Sequence, residues 1–429
     1  MSFQKNNCIN RNTFTKVILF SLVFSRCFSI DLTLEEVLKK VKKNNREIKV
    51  QELTIKDRDY EVNKSFKEFL PTVELESTKE LIRDEPDDRH DWTKDGGAEV
   101  ERLNVNLPIF TGFRNTNNLK KSLLEKDIST LDDNLVKYDV EERSIFQYFE
   151  ILNNRTQVEI SDQVIKNLEE QKKRLTDLFE NGQMVPKSEL LKVEADIVAE
   201  EAVRERRIQQ QRSAEEALYL LMGISLDSDY TFTDTTLGEV DINSYNVEED
   251  TKIALSDGSK AKREELILQD ADLDVKLSKA DLLPEVFGTY TYRFEKEDDD
   301  DEFSDYQVAI TARWEIFSWG STLDDINQKK VQREQAELNY ADRMDEIALE
   351  LRDIHRELLS LQKEVKSQQV RLELLKENLE IDSLRYLNGL IEAIDYLSSV
   401  SDLSDTAATY YTLGREFTLR QREYENLLR

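Results

Sequence analysis

Apolar residues recur along the second half of the chain in the order Met344, Ile347, Leu351, Ile354, Leu358, Leu361, Val365, stepping by three and four in turn. That rhythm puts them on one stripe of an α-helix and is the seam of a coiled coil. Neither Pro nor Gly interrupts the chain from Thr322 to Asn388. The pattern therefore predicts one continuous helix, on the order of 100 Å long at 1.5 Å per residue. Ala348, Leu359, Val370 and Ile381, spaced by eleven, form a weaker second seam, so this helix touches neighbours on both sides. The same rhythm runs through Leu124, Ile128, Leu131, Leu135 and Tyr138, predicting an equivalent helix from Asn115 to Asn181. Shorter helical patterns cover Leu32 to Glu68, Pro186 to Met222, Val247 to Leu282 and Leu390 to Leu428. Stacked end to end in pairs they match a long helix, giving two near-equal columns twice over.

The period changes to two in four places, Thr72 to Glu80, Ala98 to Leu107, Glu285 to Phe294 and Tyr306 to Trp314. Leu103, Val105 and Leu107 alternate with Arg102, Asn104 and Asn106, while Tyr306, Val308, Ile310, Ala312 and Trp314 alternate with Gln307, Thr311 and Arg313. Each strand thus has an apolar and a polar face. A soluble, half-buried sheet fits the alternation alone. Three features favour a membrane instead. Strand lengths match the roughly nine to eleven tilted residues that cross a bilayer. Aromatics gather at the strand ends, Phe110 and Phe113, Trp314, Phe317 and Trp319, and Tyr290, Tyr292 and Phe294, as an interfacial girdle requires. The loops are acidic, and the run Asp298 to Asp301 lacks the glycine turn and spaced oxygens of a calcium loop, so it reads as solvated. Four strands cannot close a barrel, since the smallest have about eight. An open edge in hydrocarbon leaves backbone groups unpaired at several kcal/mol each, so other copies of the chain are expected to complete it.

The chain also repeats. FLPTVELE from Phe69 resembles LLPEVFGT from Leu282, at an offset of 213. NLPIFTG from Asn106 resembles RWEIFSWG from Arg313, and LFENGQMVPKSELLKV from Leu178 resembles RYLNGLIEAIDYLSSV from Arg385, both at 207. The six-residue change falls between the strands, where Leu81 to Gly97 is longer than Glu295 to Asp305 by that amount. The reading is a leader, 1–29, a first repeat, 30–222, a mid-height linker rich in Ser, Thr and Asp, 223–246, and a second repeat, 247–429. Each repeat runs helix, two strands, long helix, tip, helix.

Composition narrows the function. With 35% charged residues, a mean hydropathy of −0.62, and only eleven Gly and five Pro, the chain suits long solvated helices. Sixty basic against 89 acidic residues leave a net charge of −29, which disfavours gripping nucleic acid phosphates. Lys5, Arg11 and Lys16 precede the apolar run Val17 to Phe24 and the small-residue segment SRCFS, the order of a secretory signal. Cleavage after Ser29 is the preferred reading and acylation of Cys27 the alternative. Cys8 and Cys27 are the only cysteines, so the mature protein is expected to be cysteine-free. Beyond the leader no stretch approaches the eighteen or more apolar residues of a membrane helix. With only His90 and His355, no H-E-x-x-H and no phosphate-loop glycines, neither an enzymatic site nor a cofactor or metal site is expected.

The start SIDLTLEEVLKKVKKNNREIKV, the Leu-Pro opening of each first strand, Ile-Phe after each second strand, and the Asn-Gly tips resemble the TolC family of outer-membrane efflux proteins across the whole mature chain. The resemblance implies a mainly α fold with membrane β. In that fold a homotrimer forms a 12-stranded barrel in the outer membrane, continuous with a periplasmic α-helical barrel that narrows at the helical tips. It implies a passive exit duct for efflux or type I secretion, with a periplasmic adaptor protein, an inner-membrane pump and outer-membrane lipid as partners. It puts the family's first acidic entrance position on Asp395 and its second on Ser398, where this chain has no carboxylate. Tyr386 falls on a tyrosine of the family's closing network, whose basic and acidic partner positions hold Ile391 and Ser188 here. Adaptor contact is expected at the tips, around Asn181 and Gly182 and around Asn388 and Gly389. The alternative is a periplasmic coiled-coil adaptor or scaffold with a soluble strand domain.

Overall fold

The computed structural model describes residues 30–79, 99–181, 186–228, 230–233, 242, 245–296 and 302–429. The leader with Cys8 and Cys27, His90, Gly182, the loop 81–97 and the aspartates 298–301 lie outside the described residues.

Two helices of 67 residues dominate, α3 (Arg114–Glu180) and α7 (Ser321–Leu387). Ile347, Leu351, Ile354, Leu358 and Val365 of the predicted seam are buried, with Met344 and Leu361 packed at its edge. Of the eleven-spaced seam, Ala348 and Leu359 are partly buried, Leu359 against the core, whereas Val370 and Ile381 are half exposed. Shorter helices line each long one: α2 (Arg46–Lys67) and α4 (Lys187–Met222) against α3, and α6 (Ser259–Ala280) and α8 (Ala393–Leu427) against α7. Because α3 also packs on α6 and α8, the two halves form one bundle.

Two expected single helices are each split. Leu32 to Glu68 becomes a short strand β1 (Ile30–Leu32), α1 (Leu34–Asn44) and α2. Thr33 and Glu36 start α1 with reciprocal cap hydrogen bonds. At Asn45 the backbone turns extended, and the side chain caps α2 by accepting from the Glu47 and Ile48 amides at 2.8 and 3.3 Å. Its amide nitrogen donates to the Leu221 carbonyl at the end of α4, 2.9 Å away. Val247 to Leu282 likewise becomes α5 (Val247–Ser256) and α6, broken at Asp257-Gly258. There Ser259 donates to the Arg429 carbonyl beyond α8 at 2.9 Å. Both breaks are where one short column abuts the end of another.

The linker is not structureless. Its β4 (Tyr230–Phe232) pairs in parallel with β1, Ile30 opposite Tyr230 and Leu32 opposite Phe232. Tyr148 of α3, fully buried, seals this pair by donating to the carbonyls of Leu32 and Thr233 at 3.2 and 2.6 Å. Its ring meets Phe232 edge-on at 5.7 Å.

The four predicted strands form one antiparallel sheet in the order β2-β3-β5-β6: β2 (Thr72–Lys79), β3 (Glu99–Thr111), β5 (Glu285–Lys296) and β6 (Glu302–Arg313). The second strand runs four residues further than expected, because β3 continues through Pro108 by skipping Ile109, between Pro108 opposite Phe287 and Phe110 opposite Val286. Across the sheet one face carries the rows Leu75, Leu103, Tyr292, Tyr306 and Val73, Val105, Tyr290, Val308. The other carries Glu76, Arg102, Arg293, Asp305 and Glu74, Asn104, Thr291, Gln307. In the single chain the sheet is open, with β2 and β6 as its edges.

Candidate functional site: the helical tips and the exposed face of α8

The tips form where each long helix ends without a strong helix breaker inside it. Asn181 and Asn388 close α3 and α7 alike: the backbone and side-chain nitrogens both donate to the carbonyl four residues back, at 3.1 and 2.7 Å in each case. After Asn388 the chain reverses at Gly389, whose φ of 70° is left-handed. Gly389 and Leu390 donate to the carbonyls of Tyr386 and Arg385 at 2.9 and 2.8 Å, a Schellman turn. Arg174 of α3 donates to the carbonyls of Leu387 and Asn388, joining the two long helices at this end.

Inside the tip two tyrosines stack in parallel, Tyr386 on Tyr396, with centroids 4.9 Å apart and planes 2° apart. Both are buried. Tyr396 accepts from the Asn167 amide at 2.7 Å, and the same amide donates to Ser383 at 3.0 Å. The Tyr386 hydroxyl is buried without a partner. Burial pushes its pKa up to about 12, reinforced by Asp196 and by Tyr396. Burial also raises that of Tyr396, against the hydrogen bond from Asn167. The structure thus puts Tyr386 at the tip, but in the interior of the bundle and off its surface. A buried hydroxyl with no partner contributes nothing and costs its desolvation. Tyr386→Phe is therefore expected to hold or slightly raise the thermal midpoint at pH 7. Unfolded tyrosine ionises near pH 10, about two units below the buried one, so this group's stability contribution is intact below that pH and lost as pH rises toward 12. In Tyr386→Phe the alkaline fall of the midpoint should be shallower; a loss of several degrees at pH 7 would show that the hydroxyl has a partner.

Asp395 lies in the first turn of α8, where the helix dipole favours a carboxylate. Asp395 and Ser398 are both exposed and share one helix face. That face continues through Asp402, Asp405, Thr409, Thr412 and Glu416, all exposed, at steps of three and four. Sequence reasoning singled out Asp395 and Ser398 and passed over Asp402, Asp405 and Glu416. The same spacing would have found them, since the opposite face, with Tyr396, Val400, Leu403, Ala407 and Tyr411, is buried. Among the described residues no group of His, Cys, Asp and Glu side chains is placed to hold a metal ion.

The aromatics divide differently from expectation. Tyr290 and Tyr292 sit mid-strand in β5 on the apolar face, not at its end. Phe110 closes β3 and packs edge-on against Phe113 at 5.3 Å. Trp314, Phe317 and Trp319 follow β6 in an unpaired segment and are exposed, with Trp319 stacked obliquely on Phe317 at 5.1 Å. The Trp314 indole donates to the Leu282 carbonyl at 3.1 Å. Among the described residues no helix is long and apolar enough to cross a membrane.

An open four-stranded sheet with one apolar face is carried on two 67-residue helices within one bundle. Residues 262–422 match the outer membrane efflux protein family. The Campylobacter jejuni CmeC outer membrane channel is similar over 99% of this chain and 94% of its own, with 17% identity and a TM-score of 0.77. The Vibrio cholerae outer membrane protein VceC is similar over 92% of this chain and 95% of its own, with 13% identity and a TM-score of 0.67. The open-state Neisseria gonorrhoeae MtrE outer membrane channel covers 92% of this chain and 88% of its own, with 13% identity and a TM-score of 0.68. No curated protein sequence matches the chain. Residues 262–422 thus carry the pattern of the outer membrane efflux protein family, and the whole chain has the fold of these outer membrane channels.

Proposed function

We propose that the protein is the passive exit duct of a tripartite efflux or type I secretion system, working as a homotrimer. The observation that carries this reading is the continuity of β3 into α3 and of β6 through Trp314–Gly320 into α7, so that every strand pair opens onto a 67-residue helix. Two repeats per chain supply four strands and four helical columns, and three copies supply a 12-stranded barrel and a twelve-column tunnel reaching through the periplasm. The open sheet supports self-association, because its edges cannot face hydrocarbon unpaired. The adaptor protein is expected to meet the tips at Asn181–Gly182 and Asn388–Gly389, and the inner-membrane pump supplies the energy.

In this arrangement the exposed face of α8 lines the entrance, and three copies of Asp395 repel one another and attract cations. Purified protein in a planar bilayer is expected to give small cation-selective currents, from a particle whose mass in detergent is that of three chains. Asp395→Ala should weaken the selectivity while leaving the trimer intact. A soluble monomer that never conducts would reject the duct in favour of the periplasmic scaffold. Unchanged selectivity in the variant would remove Asp395 from the entrance.

A further inference from the structure

Charge is distributed unevenly along this acidic chain. The net charge is −29, yet Lys39, Lys40, Lys42, Lys43, Arg46 and Lys49 fall within eleven residues that hold a single acid, Glu47. These bases span α1 and the first turn of α2, on either side of the break at Asn45. In the second half the short helix before the long column, α5, carries Glu248, Glu249 and Asp250 against Lys252, so the repeated plan does not itself require a basic helix there.

The basic segment stands on a fixed platform. Leu34, Val37, Leu38 and Val41 of α1 are buried against α3 and α4. Two of the bases tie the helix down: Lys42 pairs with Glu141 of α3 at 2.5 Å, and Lys40 lies over the Tyr230 ring of β4 at 4.5 Å. Lys39, Lys43, Arg46 and Lys49 are exposed. Among the described residues no carboxylate forms an ion pair with Lys43, Arg46 or Lys49. Glu47 does not serve them, since Arg143 of α3 holds it, at 3.0 Å through Nη1.

Helix stability does not account for this cluster. Lys42 and Lys43 suit the last turn of α1, where the helix dipole favours cations, but Arg46 and Lys49 occupy the first turn of α2, where it disfavours them. Lys39 and Lys43 are four apart on α1, and Arg46 and Lys49 three apart on α2, the spacings at which like charges on a helix repel. Anionic groups bound between them would relieve that repulsion.

The position of the cluster narrows the partner. The core that holds α1 includes Ile145 and Leu152 of α3, roughly 50 Å from either end of that helix at 1.5 Å per residue. The bases are therefore out of reach both of lipid headgroups beside the sheet and of a partner confined to the tips. Building on the duct reading, we propose that α1 and the first turn of α2 form a docking surface for the carboxylates of the cell wall, the anionic polymer through which a duct of this length passes in the periplasm. The acidity of the rest of the chain does not prevent this, because at physiological salt charges beyond about 8 Å are largely screened, and a partner at the patch meets the exposed bases first. Single exposed ion pairs are weak, so the contact is multivalent, several bases on each chain against a repeating polymer.

The test is co-sedimentation of the purified full chain, in detergent, with protein-free peptidoglycan sacculi. The patch variant carries Lys39→Gln, Lys43→Gln and Lys49→Gln. A second variant loses the same charge from exposed positions of α7, through Lys363→Gln, Lys366→Gln and Lys376→Gln. The parent and the α7 variant are expected to sediment with sacculi at low salt, and to stay in solution at high salt or with sacculi whose carboxylates have been amidated. The patch variant should bind roughly tenfold more weakly, about what three exposed ion pairs contribute together, with its thermal midpoint held or slightly raised. Equal binding by the patch variant and the parent, equal loss in both variants, or retention by amidated sacculi overturns the proposal. So does a parent that sediments with phosphatidylglycerol vesicles in place of sacculi, or with neither. Conductance and detergent mass are read on the same parent sample. A conducting trimer that ignores sacculi overturns the docking surface and leaves the duct standing, whereas a non-conducting monomer that binds through the patch overturns the duct alone.

Discussion

Replacing Tyr396 with Ala is expected to destabilise the tip half of the bundle by about 3–5 kcal/mol, the usual result of emptying a large aromatic site. The ring is fully buried among α3, α4, α7 and α8 and forms half of the stack with Tyr386. The substitution leaves a cavity beside Tyr386 and deprives the Asn167 amide of one of two acceptors, leaving Ser383. Tyr396→Phe separates these effects. It keeps the stack and loses one buried hydrogen bond, at about 1 kcal/mol. The Ala variant should show a lower midpoint for loss of helicity and earlier tryptic cleavage near Arg385, with the sheet end unchanged. In a planar bilayer it should also conduct more than the parent, because the stack ties α7 to α8 where the tunnel is narrowest in the proposed trimer. Equal stability of the Ala variant and the parent would mean that the tip is held elsewhere, with Arg174 and its carbonyls the remaining link.

Gly258→Val is expected to break the junction between columns in the second half. A Cβ at Gly258 would stand 2.4 Å from the Ala254 carbonyl oxygen and 2.7 Å from that of Leu427. Both are backbone atoms of helices, so neither can rotate aside, and α5 or the end of α8 must move. Overpacking of this kind costs about 1–3 kcal/mol. A further ~1 kcal/mol follows from placing Val at a helix N-cap. The predicted readouts are a lower thermal midpoint and faster proteolysis at Lys260 and Lys262. Gly320→Ala is the comparison. Nothing lies within 4 Å of a Cβ there, and the penalty is the left-handed φ of 89° alone, roughly 1–2 kcal/mol. If Gly320→Ala proved the more damaging, column abutment at Gly258 would not be what holds the middle of the bundle.

How much was legible follows from what each pattern encodes. The seam Ile347, Leu351, Ile354, Leu358 is a one-dimensional record of a helix face, and both long helices came out within a residue of their predicted ends. Alternation likewise located the strands, but β3 runs four residues past Leu107, β5 two past Phe294, and β6 begins four residues before Tyr306 and ends at Arg313. The breaks at Asn45 and Gly258 were written as Asn44-Asn45 and Asp257-Gly258, which are turn-forming pairs. The strong helical periodicity on either side masks both pairs. The pairing of β1 with β4 could not be seen, because three-residue strands carry no period and their partner lies 200 residues away. At the candidate site, sequence spacing put Asp395 and Ser398 on one face but could not tell that Tyr386 turns inward, against Tyr396 and away from solvent.

Periodicity and the paired offsets by themselves determined that this protein is built of long seamed helices and short two-faced strands, because those signals are local and set by backbone geometry. Tertiary structure alone decided which faces are left uncovered: the acidic strip of α8, Val370 and Ile381 of the second seam of α7, and the edges of β2 and β6. Those depend on which distant segments pack together, and a residue's neighbours across a bundle are not recorded in the residues beside it.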